Sequence, residues 1–177
     1  MTLSPQDSKL FFRLYIPLLG YANQYGGNTK EREMIEARRV LYENPNIITN
    51  FINDNPEGLN DEQLTMVAGW GRFVQGSFVL LKELRHHSIF FRFDTPKPEV
   101  YCVIGITQPP SEVTQGIGST LNAVVLLPWN NRIIWDGLLT HGPICGPNYM
   151  RSFTKDYQQL KKRGEIIQQL PKKILTI

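Results

Sequence analysis

An α+β fold is predicted, a helical N-terminal half followed by an antiparallel sheet crossed by one C-terminal helix. Three observations carry it. Apolar residues recur at three- and four-residue steps through the first half of the 177-residue chain. From His87 onward they alternate and belong to β-forming types. Finally, Leu121 to Trp129 and Arg132 to Leu139 are two apolar runs around Asn130-Asn131, a pair that tolerates the positive φ of a tight hairpin turn.

The helices are read in order. Ser4-Pro5 starts the first, with Pro at the first helical position and Asp7 in the first turn. Leu10, Phe11, Leu14, Ile16, Leu18 and Leu19 form its apolar face, Pro17 should kink it, and Gly26-Gly27 should end it. Thr29 is the expected cap of a second helix whose apolar set is Met34, Ile35, Ala37, Val40 and Leu41. Asn44-Pro45 stops that helix and opens a short third one over Ile47 to Ile52, which the Asn53 to Gly58 loop punctuates. Asn60 and Gln63 are placed to make a capping box, and Leu64, Val67, Val74, Phe78 and Leu81 extend the fourth helix to about Arg85. Gly69, Gly71 and Gly76 weaken it, each by about 1 kcal/mol relative to Ala. A break near Gly71 is the alternative reading.

The sheet half offers strands at Ser88–Phe93, Val100–Thr107, Leu121–Pro128 and Arg132–Leu139, with a short fifth segment at Glu165–Gln169. Gln108 to Ser119 reads as a loop, and Met150 to Arg163 as an amphipathic helix closed by Gly164. Both hairpin faces are mostly apolar. Both should therefore be covered, one by helices and one by the sheet curling on itself; a small, partly closed barrel and an open sheet fit the pattern equally. The organisation expected is a single domain over 1–177, with a helical half to residue 86, a sheet-plus-helix half over 87–171 and a tail over 172–177.

Composition excludes some classes. Charged residues make up 20% and apolar ones 41%, enough apolar material for a core and too little charge for a disordered chain. No apolar run reaches the roughly 18 residues of a membrane span, and the N-terminus lacks the marks of a signal peptide. Two cysteines give no disulfide framework. A soluble cytoplasmic protein with no cofactor and no membrane association is expected.

Candidate chemistry centres on Asp136. The Asn130-Asn131 register sets it opposite Val125, between Ile134 and Leu138, where an ionised carboxylate needs a partner and a general acid or base can be made. The plainer reading is a carboxylate bonding a backbone amide or an Arg where Gly137 bends the strand. His141 is the nearest candidate catalytic companion, with His86 or His87 beside it. His86, His87, His141 and Cys145 would supply nitrogen and sulfur ligands for zinc if their loops met, but no metal-ligand spacing is present. Cys145 with His141 carries no nucleophile signature, and Cys102, alternating within an apolar strand, reads as core. Gln115 to Thr120 is Gly-rich, lacks the P-loop Lys and precedes a strand, so it reads as a surface loop.

The remaining asymmetry is charge. Residues 138–177 hold seven Lys/Arg against two Asp/Glu, and the rest of the chain is slightly acidic. Arg151, Lys155 and Lys162 can share one helix stripe, with Lys161 and Arg163 beside it, as a surface for a protein partner or for phosphates. Basic residues near a helix C-terminus also need no ligand. Trp129, at the hairpin tip beside Arg132, is a candidate partner anchor, and Trp70 and Trp135 read as core.

Asn55-Pro-Glu-Gly-Leu59 ahead of a long helix, Val100 to Gly105, Val125 to Trp129 and Ile133 to Gly137 together resemble an uncharacterised family of bacterial proteins, cyanobacterial members included. That resemblance spans most of the chain and implies one bacterial α+β module; it implies no activity. The function expected is a binding or regulatory module using the basic C-terminal helix. A small enzyme with a pocket around Asp136 and His141, and a structural subunit bearing an exposed apolar patch, are the alternatives.

Overall fold

The first long helix, α1, runs unbroken through Pro17 from Pro5 to Asn23 in a computed structural model that describes residues 1–24 and 31–171. It is followed by α2 (Glu31–Glu43), α3 (Asn46–Asp54) and α4 (Asp61–Gly69). The Gly26-Gly27 stop, the Thr29 cap and the 172–177 tail lie outside the described residues. The chain packs as two units, Pro5–Gly71, and Met1–Ser4 with Arg72–Ile177.

In the helical unit, Phe11, Tyr15 and Trp70 form an aromatic cluster, with the Phe11 and Trp70 ring centroids 5.6 Å apart and Tyr15 edge-on to Trp70. The buried face of α2 is Ala37, Leu41 and Tyr42, whereas Met34 and Ile35 are exposed. The capping box of α4 is formed: Gln63 N donates to Asn60 Oδ1 at 3.0 Å, and Asn60 N donates to Gln63 Oε1 at 3.1 Å.

The fourth helix does not continue to Arg85. It ends at Gly69, one 3₁₀ turn follows over Trp70–Arg72, and β1 occupies Val74–Glu83. The break at Gly71 is the correct reading, and the change of rhythm falls there instead of at His87. Val74 and Phe78 are four residues apart, a spacing that fits a helix face and a strand face equally. Three glycines, with β-forming residues after them, settle the competition for the strand.

The remaining strands are β2 (Ser88–Arg92), β3 (Glu99–Ile104), β4 (Ser119–Trp129), β5 (Arg132–Trp135) and β6 (Thr140–Ile144), with a short α5 (Pro110–Val113) and the long α6 (Pro147–Arg163). Their order is β1-β2-β3-β5-β4-β6, and β1 also pairs with β4. Five strands thus close into a small barrel, and β6 extends it from β4. The β3–β5 pairing is parallel, through Val103↔Ile133 and Ile104↔Ile134, and the other strand pairs are antiparallel.

The hairpin register is the one expected. Trp129 faces Arg132 and Leu127 faces Ile134, with Asn130 and Asn131 at φ of 43° and 61°. In β4, Ala123 takes φ 54° and adds a residue relative to β1, a bulge that lets both Leu121 and Val124 face inward. Phe78, Leu80, Phe90, Tyr101, Val103, Ile133 and Trp135 join them to fill the barrel, and Leu170 closes on the same cluster. Outside, α6 lays Tyr157 and Leu160 on Leu81, Ile89, Phe91 and Val100. The expected segment at Glu165–Gln169 is a single parallel bridge, Tyr101↔Ile167. No helix among the described residues is long and apolar enough to cross a membrane.

Candidate functional site

Asp136 is buried, and its place follows from the strand register. Its amide donates to Val125 O at 3.2 Å, and its Oδ1 accepts the Leu138 amide at 3.2 Å where Gly137 turns at φ 83°. The carboxylate thus has a backbone donor in the bend, as the plainer reading supposed. His141 is exposed on β6 and pairs with Leu121, a barrel-filling residue, whereas Asp136 falls in register with the outward Val125. No hydrogen bond joins Asp136 to His141.

The histidines are also kept apart. His86 and His87 sit in the turn joining β1 to β2, which Leu84 N closes on His87 O at 2.9 Å, and not at a helix end. His141 lies level with Leu121 and hence with Phe78 on β1, five residues or roughly 16 Å from Glu83 at about 3.3 Å per residue. Among the described residues no three His, Cys, Asp or Glu side chains gather as a metal would require. Cys145 Sγ is 3.6 Å from Thr120 Oγ1 and is not joined to His141. The Cys102 thiol packs half-buried beside the apolar cluster under α6, and that burial pushes it up to about 11, so it is protonated at neutral pH. In the Gly-rich loop, Gly116 and Gly118 turn at positive φ, and Gly118 N donates to Leu80 O at 2.8 Å, which feeds the chain into β4.

Trp129 does not project as an anchor. It is 3% exposed, because the hairpin register sets it on the same face as the buried Val125, Leu127 and Ile134, and the two-residue turn follows at once.

The basic helix is exposed as expected. Arg151, Lys155 and Lys162 lie on the solvent side of α6, on the face away from Tyr157 and Leu160. Arg151 Nη2 donates to Asn148 Oδ1 at 2.6 Å. Lys161 and Arg163 are exposed too; Arg163 pairs with Glu165 at 3.0 Å, and both groups are more than half exposed, so the pair contributes little to stability.

Next to the first turns of α6 is a feature missed in the sequence. An apolar groove of about 330 Å³ runs between β6 and α6, walled by Val79, Phe93, Ile144, Tyr149 and Phe153. Phe153 stacks on Phe91 with ring centroids 4.6 Å apart, and Tyr149 leans on Phe153 at 6.2 Å. Ile144 and Tyr149 are 57% and 68% exposed, a large apolar area to leave in water. The outer edge of β6 pairs with no strand among the described residues. The signal lay in His141-Gly-Pro-Ile-Cys-Gly-Pro147, where Gly and Pro spell a loop although its first half is a short edge strand.

Comparison of the chain with family models, curated proteins and solved structures finds no match.

Proposed function

We propose that this protein is a cytoplasmic binding module that docks an extended, acidic segment of a protein partner along β6 and α6. The observation that carries the reading is a strand edge on β6 that pairs with no strand among the described residues, with an apolar groove beside it. The helix that walls the groove, α6, carries the basic stripe Arg151, Lys155 and Lys162 on its opposite, solvent face. An extended peptide gains main-chain hydrogen bonds on a strand edge, and alternate side chains reach a neighbouring pocket. An apolar side chain fits the groove between Ile144 and Tyr149. Acidic residues flanking it are drawn by the positive charge of α6, where Arg151 and Lys155 act at longer range from the solvent face and supply encounter rate and selectivity. A nucleic acid would use the stripe and leave the groove empty, so the apolar groove favours a protein partner.

Selection of phage-displayed random dodecapeptides on the immobilised full chain tests this. Enriched sequences should carry an aromatic or aliphatic anchor among acidic residues. Their binding should weaken with salt and be lost in Tyr149→Asp and in Arg151→Glu/Lys155→Glu. No enrichment, enrichment of basic or uncharged sequences, or binding that survives both variants overturns the proposal. Tighter binding to duplex DNA than to any selected peptide overturns it as well.

A further inference from the structure

β3 changes its edge partner at Cys102. Up to that point its free edge is taken by the C-terminal segment, with Cys102 N donating to Ile167 O at 2.9 Å and Ile167 N to Val100 O at 2.8 Å. Beyond it the edge is taken by β5, starting at Val103↔Ile133. The two segments cannot both lie against β3 at the same level, so they part, and a recess of about 320 Å³ opens at the fork. Ile89 pairs with Cys102, and both belong to the outer cluster, whereas Val103 and Ile133 fill the barrel. Cys102, Ile104 and Arg132 therefore share the outer face that floors the recess.

The walls come from three places. Asn131 and Arg132 stand at the tip of the β4–β5 hairpin, Gln168 and Gln169 on the departing C-terminal segment, and His86 and His87 in the β1–β2 turn. Every one of these side chains can donate a hydrogen bond, and no Asp or Glu lines the recess. Met1 also lines the recess, and its amine pairs at 3.4 Å with Glu83, a carboxylate that Ser88 Oγ reaches as well at 2.8 Å. The side chains of Arg132, His86, Gln168 and Gln169 have no hydrogen-bond or ion-pair partner among the described residues. A guanidinium with amide and imidazole donors around it, and no carboxylate among the lining residues, matches an oxyanion.

We propose that this fork in the barrel wall binds a small anionic molecule through a phosphate or carboxylate group, with Arg132 as its charge partner and Gln168, His86 and His87 as further donors. The site is separate from the β6–α6 surface and does not rest on the peptide reading. Its size admits a metabolite-sized ligand. His87 is held below its ordinary range by burial first and by His86 next, with Glu83 opposing, so a bound anion reverses a cost already present.

The three histidines make the test internal to one sample, because His141 lies on β6 and outside the recess. Ring-proton resonances are followed while inorganic phosphate, and in a second arm succinate, replaces chloride at constant ionic strength. The His86 and His87 signals should move and saturate while His141 stays in place. Arg132→Gln should weaken binding about tenfold or more, the size of one charge-assisted hydrogen bond. Arg151→Gln should leave it unchanged. Saturation by phosphate alone or succinate alone names the ligand group. Joint drift of all three histidines, no shift with either anion, or an undiminished affinity in Arg132→Gln overturns the proposal.

Discussion

Arg92 Nε donates to Asp94 Oδ1 at 2.7 Å over Gly76, and the missing Cβ of that glycine is the space the pair occupies. A methyl group there would stand 2.7 Å from Arg92 Nε and 3.0 Å from Asp94 Oδ2. The same guanidinium reaches Gln75 O at 2.9 Å and Glu99 at 3.2 Å, and lies over the Phe78 ring. Asp94 in turn accepts the Ser77 amide at 2.7 Å. A residue that looks like a helix breaker in the sequence is where β1 admits this ion-pair network.

Gly76→Ala is therefore expected to lower stability by roughly 1–3 kcal/mol, the usual cost of overpacking. Chemical denaturation measures it. In Gly76→Ala/Arg92→Ala the obstructing side chain is gone, and the double variant should be more stable than the sum of the two single losses, a coupling that a double-mutant cycle reads directly.

Gly105 and Gly20 should respond in opposite directions to the same substitution. A Cβ on Gly105 would meet the Gln108 carbonyl oxygen at 1.9 Å, a backbone atom that cannot swing away. Gly105 also holds the N-terminal strand residue Thr2 through Leu3 N→Gly105 O at 3.0 Å and Gly105 N→Met1 O at 3.2 Å. Gly105→Ala should cost roughly 3 kcal/mol. Gly20 stands on the exposed side of α1 with open space around it, and Gly20→Ala should stabilise by about 1 kcal/mol. Thermal or denaturant midpoints of the two variants decide the contrast.

Asn60→Ala removes the side-chain half of the α4 capping box and should cost about 1 kcal/mol. Asn60→Asp retains an acceptor at the helix N-terminus and should recover most of the loss. Equal destabilisation by both variants would show that the cap is not what Asn60 contributes.

Cys102 sets an alkaline limit. Burial raises its thiol from an ordinary value of 9.0 to about 11 in the folded chain, so between those values the unfolded state has already lost a proton that the folded state keeps. Stability present below about pH 9 should then fall as pH rises toward 11. Tyr101, pushed above its ordinary range by burial and by Glu99, acts in the same sense at higher pH. Cys102→Ala should flatten the slope of stability against pH over the lower interval. The thiolate absorbance that Cys102→Ala removes from the wild-type signal should have its midpoint near 11.

Individual elements show where the sequence was readable. The Asn130-Asn131 hairpin and the Asn60 cap depend on neighbours within four residues, through positive φ and a local hydrogen bond, and both stand as expected. Segment 74–81 was ambiguous because its apolar spacing satisfies two periods, and barrel closure through β1–β4 chose between them. Trp129 looked exposed because a hairpin tip is usually wet; its burial is a property of the whole hairpin face. Arg151, Lys155 and Lys162 were legible from helical spacing alone.

By itself the sequence determined the α+β class, the hairpin register, the Asn60 and Gly164 caps and the basic side of the last helix, because each follows from contacts between residues near in the chain. Closure of the barrel, the free edge of β6 beside an apolar groove, and the fork that brings Arg132 to Gln168 were decided only in three dimensions. They depend on which strand takes which edge, and that choice is made by burying side chains from segments tens of residues apart, with no local pattern to announce it.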